Sequence, residues 1–103
     1  MNSQQLILDR ITAAIEARDG VLLIEDRQYA NTGTLRTVNA ETLEQIAYVT
    51  YGFYQGYCDF GPMTDRVASL DYDSPSRGTA PWVQRSVPDL VDAVVAHLTG
   101  GKS

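Results

Sequence analysis

Cys58, Asp59 and His97 are the residues whose types could together supply a nucleophile, an orienting acid and a base. They form the single thiol–imidazole pairing open to this chain, which has one cysteine and one histidine. His97 falls on a helix flank beside Ala93 and Ala96, so the simpler reading is a half-buried cysteine and a surface histidine. Asp71 and Asp73 flank Tyr72 and offer a second place for acid–base work. However, "DYDSPS" closes a strand pattern, where aspartates commonly bind turn amides. Glu25 and Asp26 are adjacent; on a strand they point to opposite faces and cannot share an ion. No glycine-rich phosphate loop and no metal-ligand spacing is present, so neither a cofactor nor a metal is expected.

Aromatic residues give a stronger signal. In "YVTYGFYQGY" Tyr48, Tyr51, Tyr54 and Tyr57 recur at every third position with Phe53 among them, and Phe60 follows. Tyrosine and phenylalanine offer broad contact area at little rotamer cost and are common in interfaces and pockets. The loop "SPSRGTAPW" adds Arg77 and Trp82, two residue types rich in binding energy at interfaces. Tyr48, Phe53, Tyr57, Phe60, Arg77 and Trp82 are therefore the candidate ligand or partner contacts. Ordinary core filling by the rings, with a solvated connector, is the competing reading.

Composition narrows the partners. The 103 residues hold 13 acidic and 8 basic side chains, a formal charge of −5, and the basic ones are scattered. Phosphate backbones call for a basic patch, so nucleic acid is not expected. The most hydrophobic piece, "VLLI" at 21–24, is far too short to span a bilayer, and "MNSQQLILDR" lacks the basic start and apolar middle of a secretion signal. One cysteine rules out an internal disulfide. These features together point to a cytoplasmic protein with no membrane partner.

The elements that must position these residues follow from periodicity. Leu6, Ile7, Ile11, Ala14 and Ile15 recur at helical spacing between Ser3 and Arg18, and Gly20 stops that helix. "VLLIEDRQY", the turn-forming "ANTGT" and "TLRTV" predict a β-hairpin over 21–38. Leu43, Ile46, Ala47, Thr50, Tyr51, Tyr54 and Cys58 then match the i, i+3, i+4, i+7 pattern behind a cap at Asn39, predicting a second helix. On such a helix, steps of three residues fall back by about 60° each, so the four tyrosines sweep over about half the circumference. Tyr51 and Tyr54 would be core, and Tyr48 would be exposed. Against a helix, Val49, Thr50 and the aromatics favour strands, and Gly52 and Gly56 each cost a helix about 1 kcal/mol. A strand is expected at 66–72, where Ala68, Leu70 and Tyr72 alternate with Val67, Ser69 and Asp71. The last helix begins at the capping run Ser86-Val87-Pro88-Asp89, carries Leu90, Val91, Val94, Val95 and Leu98 on one face, and ends at Gly100 and Gly101.

The expected architecture is one α+β domain over 1–103, with order α-β-β-α-β-α. Three helices would pack on a small, mostly antiparallel sheet of three or four strands. A narrow sheet leaves two edges, which an extra strand from 48–60 or a second copy would relieve. The function most in keeping with these features is a small acidic binding module that uses an aromatic surface or pocket. Its partner would be a second copy (a homodimer), another protein or a small apolar ligand. Two alternatives stand beside it: an acidic inhibitor or immunity-type protein blocking a basic site on an enzyme, and a small enzyme using Cys58.

Overall fold

A computed structural model describes residues 3–61, 66–72 and 82–100. Helix α1 (Ser3–Glu16) leads into strands β1 (Val21–Tyr29), β2 (Thr32–Asn39), β3 (Gln45–Tyr54), β4 (Tyr57–Phe60), β5 (Ala68–Asp71) and β6 (Val83–Gln84), and helix α2 (Val87–Leu98) closes the chain. The six strands form one sheet in the order of the sequence. Every neighbouring pair is antiparallel except β5 and β6, which run parallel with Ser69 opposite Val83.

Local chemistry accounts for most boundaries. The Ser86 hydroxyl accepts a hydrogen bond from the Asp89 amide at 3.2 Å and caps α2, with proline in the first turn. Two residues, Gln55 and Gly56, join β3 to β4, and Gly56 takes the positive φ (92°) that so tight a hairpin demands. Asn39 holds the β2–β3 loop: its side-chain oxygen accepts from the amides of Glu41 and Thr42. That loop also puts Leu43 at φ 63°, a backbone region uncommon for a branched residue. Asn31 ties the β1–β2 turn to the end of β3, donating from Nδ2 to the Phe53 carbonyl and accepting from the Phe53 amide through its own carbonyl.

Both helices cover the same side of the sheet. α1 packs on α2 and β1, while α2 packs on α1, β3, β5 and β6. One core results, built from Ile7, Leu8, Ile11 and Ile15 of α1 and Leu90, Val91, Val94, Val95 and Leu98 of α2. The sheet contributes Leu35, Val49, Tyr51, Phe53, Cys58, Phe60, Ala68 and Leu70. Buried Thr37 is satisfied by donating to the carbonyl of Leu98, which fastens the end of α2 to β2. His97 Nε2 lies 2.9 Å from the Tyr48 carbonyl on a stretch of β3 that β4 does not reach. No helix among the described residues is long and apolar enough to cross a membrane.

The architecture differs from the expected three helices and three or four strands. The α+β class stands, but residues 45–60 form the β3–β4 hairpin in place of a second helix, and the sheet has six strands. Ile46, Ala47, Thr50, Tyr51 and Tyr54 do fit a helical stripe, yet Val49, Tyr51 and Phe53 fit period two equally well. The strand wins because β-branched and aromatic side chains pack well on a pleated surface, and because it buries Val49 and Phe53 together with Tyr51. A helix would have spread those three over more of its circumference. The expected hairpin over 21–38 is present as β1–β2, extending one residue further.

Candidate functional site

Alternation along each strand gives the sheet two faces. The helix-covered face holds Val49, Tyr51, Phe53, Cys58 and Phe60, whose rings form a buried triad: Tyr51, Phe53 and Phe60 lie 5.7–6.2 Å apart between centroids. At its margin the Tyr51 hydroxyl donates to Glu25 Oε2 at 3.0 Å, and Arg27 Nε donates to the same oxygen at 2.9 Å. Burial, and then the carboxylate, raise the Tyr51 hydroxyl pKa and keep it protonated.

No element of the structure covers the other face among the described residues. It presents Leu22, Ile24 and Asp26 from β1, Thr32, Thr34 and Arg36 from β2, and Tyr48, Thr50, Gly52 and Tyr54 from β3. Tyr57 and Asp59 come from β4, Ser69 and Asp71 from β5, and Val83 from β6; the registers place these residues opposite one another. Leu22, Tyr48, Tyr54 and Tyr57 are 47%, 45%, 43% and 43% exposed, large values for apolar side chains on a sheet. Val38 is buried but outside the core cluster, consistent with its place on this face beside Leu22.

Two glycines set where tyrosine rings can lie. A Cβ on Gly33 would sit 2.6 Å from the Tyr51 hydroxyl oxygen and 2.8 Å from the Asp26 carbonyl oxygen, so Tyr51 can cross β2 only because Gly33 has no side chain. On the open face Tyr54 lies along its own strand over Gly52, its ring 2.6 Å from where a Cβ would be. Tyr54 then meets Tyr57 across the hairpin, with ring centroids 5.1 Å apart and planes tilted 31°. A paired, half-exposed aromatic platform is the outcome.

Among the described residues, shallow depressions mark this face, three of them as follows. One of about 230 Å³ lies among Thr32, Thr50, Gly52, Tyr54, Asp59 and Arg66. A second, of about 300 Å³, runs along Tyr57, Asp59, Ser69, Asp71 and Val83. The third, of about 320 Å³, is framed by Asp26, Thr34, Arg36, Gln45 and Tyr48. Arg66 Nη1 pairs with Asp59 Oδ1 at 2.8 Å on the wall shared by the first two. Such surfaces offer ring faces, threonine hydroxyls and a few charges. Among the described residues no group of three or more His, Cys, Asp and Glu side chains could hold a metal ion.

The six candidate contacts separate. Tyr48 and Tyr57 are on the open face, whereas Phe53 and Phe60 are in the core. Trp82 is exposed just before β6, and its carbonyl accepts from the Ser69 amide at 2.9 Å. Arg77 lies outside the described residues, as does Asp73. Tyr54, assigned to the core by helical reasoning, belongs to the open face, and Arg36, Asp59 and Arg66 join it without having been singled out as contacts. Reading 48–54 at period two would have grouped Tyr48 with Tyr54; nothing in the sequence marks Arg36.

Cys58 and His97 do not come together. Cys58 points into the core beside Tyr72, and burial pushes its thiol up to about 11, while His97 is engaged with the Tyr48 carbonyl. A thiol held in its protonated form at neutral pH lacks the thiolate that nucleophilic attack needs. No family model, no curated protein and no solved structure matches the chain.

Proposed function

We propose that this chain is a small acidic binding module whose working surface is the open face of its sheet, with Tyr48, Tyr54 and Tyr57 as the main contacts. The observation that carries this reading is the exposure of these three tyrosines and Leu22 on the sheet face that, among the described residues, no helix covers. Exposed aromatic patches framed by polar residues are characteristic of recognition sites. The partner is another protein chain or a small apolar ligand that lies against the rings, and the setting is the cytoplasm, where a lone buried thiol is at home.

An acidic inhibitor of a basic enzyme would concentrate carboxylates on its contact surface. Here three aspartates (Asp26, Asp59, Asp71) share the face with two arginines (Arg36, Arg66), which favours aromatic contact over charge-driven docking.

Amide chemical-shift mapping with a library of small aromatic and aliphatic fragments tests the proposal on dilute protein. Perturbations gathered around Tyr48, Thr50, Tyr54 and Tyr57, and lost with Tyr57→Ala, are expected. Perturbations confined to the helical side, or none at all, would overturn it.

A further inference from the structure

The layout of the open face about its centre points to one occupant. Thr50 on β3 is the pivot. Arg36 lies one strand away on β2, opposite Tyr48 and so two residues down. Asp59 lies one strand away on β4, opposite Gly52 and so two residues up. The two opposite charges are therefore equidistant from Thr50, on opposite sides of it. Leu22 continues the diagonal beyond Arg36, with Ile24 directly beside Arg36 on β1; Asp71 continues it beyond Asp59, with Tyr57 beside Asp71 on β4.

From this we infer that the open face pairs with the same face of a second copy, about a two-fold axis lying in the interface at Thr50, with Arg36 of each copy against Asp59 of the other. The inference rests on the reading of the open face as a recognition surface and names its partner.

An axis in the interface, perpendicular to the Arg36–Asp59 diagonal, brings each arginine onto the other copy's aspartate, as isologous contacts require. The same operation sets Ile24 of each copy over the Tyr54–Tyr57 pair of the other, so apolar surface meets ring surface. With strands about 4.8 Å apart and a rise of about 3.3 Å per residue, the strands of the two sheets then cross at roughly 70°. That lies near the orthogonal mode of sheet packing.

Charge and area are both adequate. Among the described residues Arg36 has no ion-pair partner, and it projects from the sheet as an exposed guanidinium. The excess negative charge of the chain resides mainly elsewhere, so two copies can approach along this face. Each strand residue covers roughly 16 Å² of sheet, and the strands together present roughly 600 Å² per copy in projection. Two such faces reach the lower end of stable interfaces, about 1,200 Å² in total.

Sedimentation velocity over a concentration series on the full chain, with charge exchange, tests the arrangement. Wild type is expected to dimerise reversibly. Arg36→Asp and Asp59→Arg should each raise Kd roughly tenfold to hundredfold, and the Arg36→Asp/Asp59→Arg double variant should recover most of the loss. Thr34→Arg, a change at a half-buried position of the open face near the pivot and outside the core cluster, should also weaken the dimer and serves if Asp59→Arg folds poorly without its Arg66 contact. A wild type that stays monomeric up to about 1 mM overturns the second-copy inference. So does a dimer indifferent to Arg36→Asp and Thr34→Arg. If fragments still map to the open face of a monomeric protein, the recognition surface survives and only its occupant changes; if they do not, both fall.

Discussion

Strand β3 carries two contrasting faces ten residues long. Its odd positions, Val49, Tyr51 and Phe53, are sealed under α2, and its even positions, Tyr48, Thr50 and Tyr54, meet solvent. The amino-acid types are nearly the same on both sides. What separates them is neighbours: Tyr51 crosses Gly33 and finds Glu25 for its hydroxyl, whereas Tyr54 folds back on Gly52 and leaves its ring half exposed beside Tyr57. Tyrosine suits both surroundings because it combines a large apolar body with a polar tip. Identical chemistry is structural on one face and available on the other.

Substitutions on the two faces should therefore behave very differently. Phe60→Ala removes a fully buried ring and should lower unfolding free energy by about 3–5 kcal/mol in urea or thermal melts. Tyr57→Ala should change stability by about 0.5 kcal/mol or less while weakening self-association or fragment binding. Equal stability losses at the two positions would erase the distinction between the faces.

High pH probes the covered face. The Cys58 thiol rises to about 11 on folding, so the folded state holds this proton more tightly than the unfolded chain. Its contribution is complete below the ordinary thiol range and is lost as pH climbs through about 11, worth roughly 2–3 kcal/mol. The raised Tyr72 hydroxyl acts in the same direction. Melting temperature should fall between about pH 9 and pH 11, and Cys58→Ala should flatten part of that fall. A slope unchanged in Cys58→Ala would place the titration elsewhere. Consistent with this, thiol reagents at neutral pH should label native Cys58 far more slowly than denatured protein.

Smaller effects sharpen the contrast. Thr37→Val keeps the volume but leaves the Leu98 carbonyl without its buried donor, at a cost of about 1–3 kcal/mol. Gly52→Ala forces Tyr54 off its seat on the open face and should displace the Tyr54 and Tyr57 ring resonances, with a stability loss of about 1 kcal/mol. Tyr54 resonances unmoved in that variant would show that the ring does not rest on Gly52.

Legibility followed the range of the forces involved. Helix α2 could be read almost to the residue, because Ser86, Pro88 and Asp89 act within one turn and the apolar stripe has a single period. The β1–β2 hairpin was legible for the same reason. Residues 45–60 were not, since Ile46, Ala47, Thr50 and Tyr51 fit a helical stripe while Val49, Tyr51 and Phe53 fit period two, and only burial against α2 decides between them. Of the candidate contacts, Tyr48 and Tyr57 reached the open face, and Phe53 and Phe60 went inside; the one-residue offset between Phe53 and Tyr54 is enough to reverse a side chain's direction on a strand.

The sequence alone determined much of the composition of the parts: an acidic α+β chain, an amphipathic helix near each end, the last one capped, a hairpin, one thiol and a concentrated run of rings. Tertiary structure decided that the run is a hairpin in a six-stranded sheet, that both helices lie on one side, and hence which rings are core and which form a surface. The physical reason is that side-chain direction on a strand is set locally, but which direction is the interior depends on where residues distant in sequence come to pack.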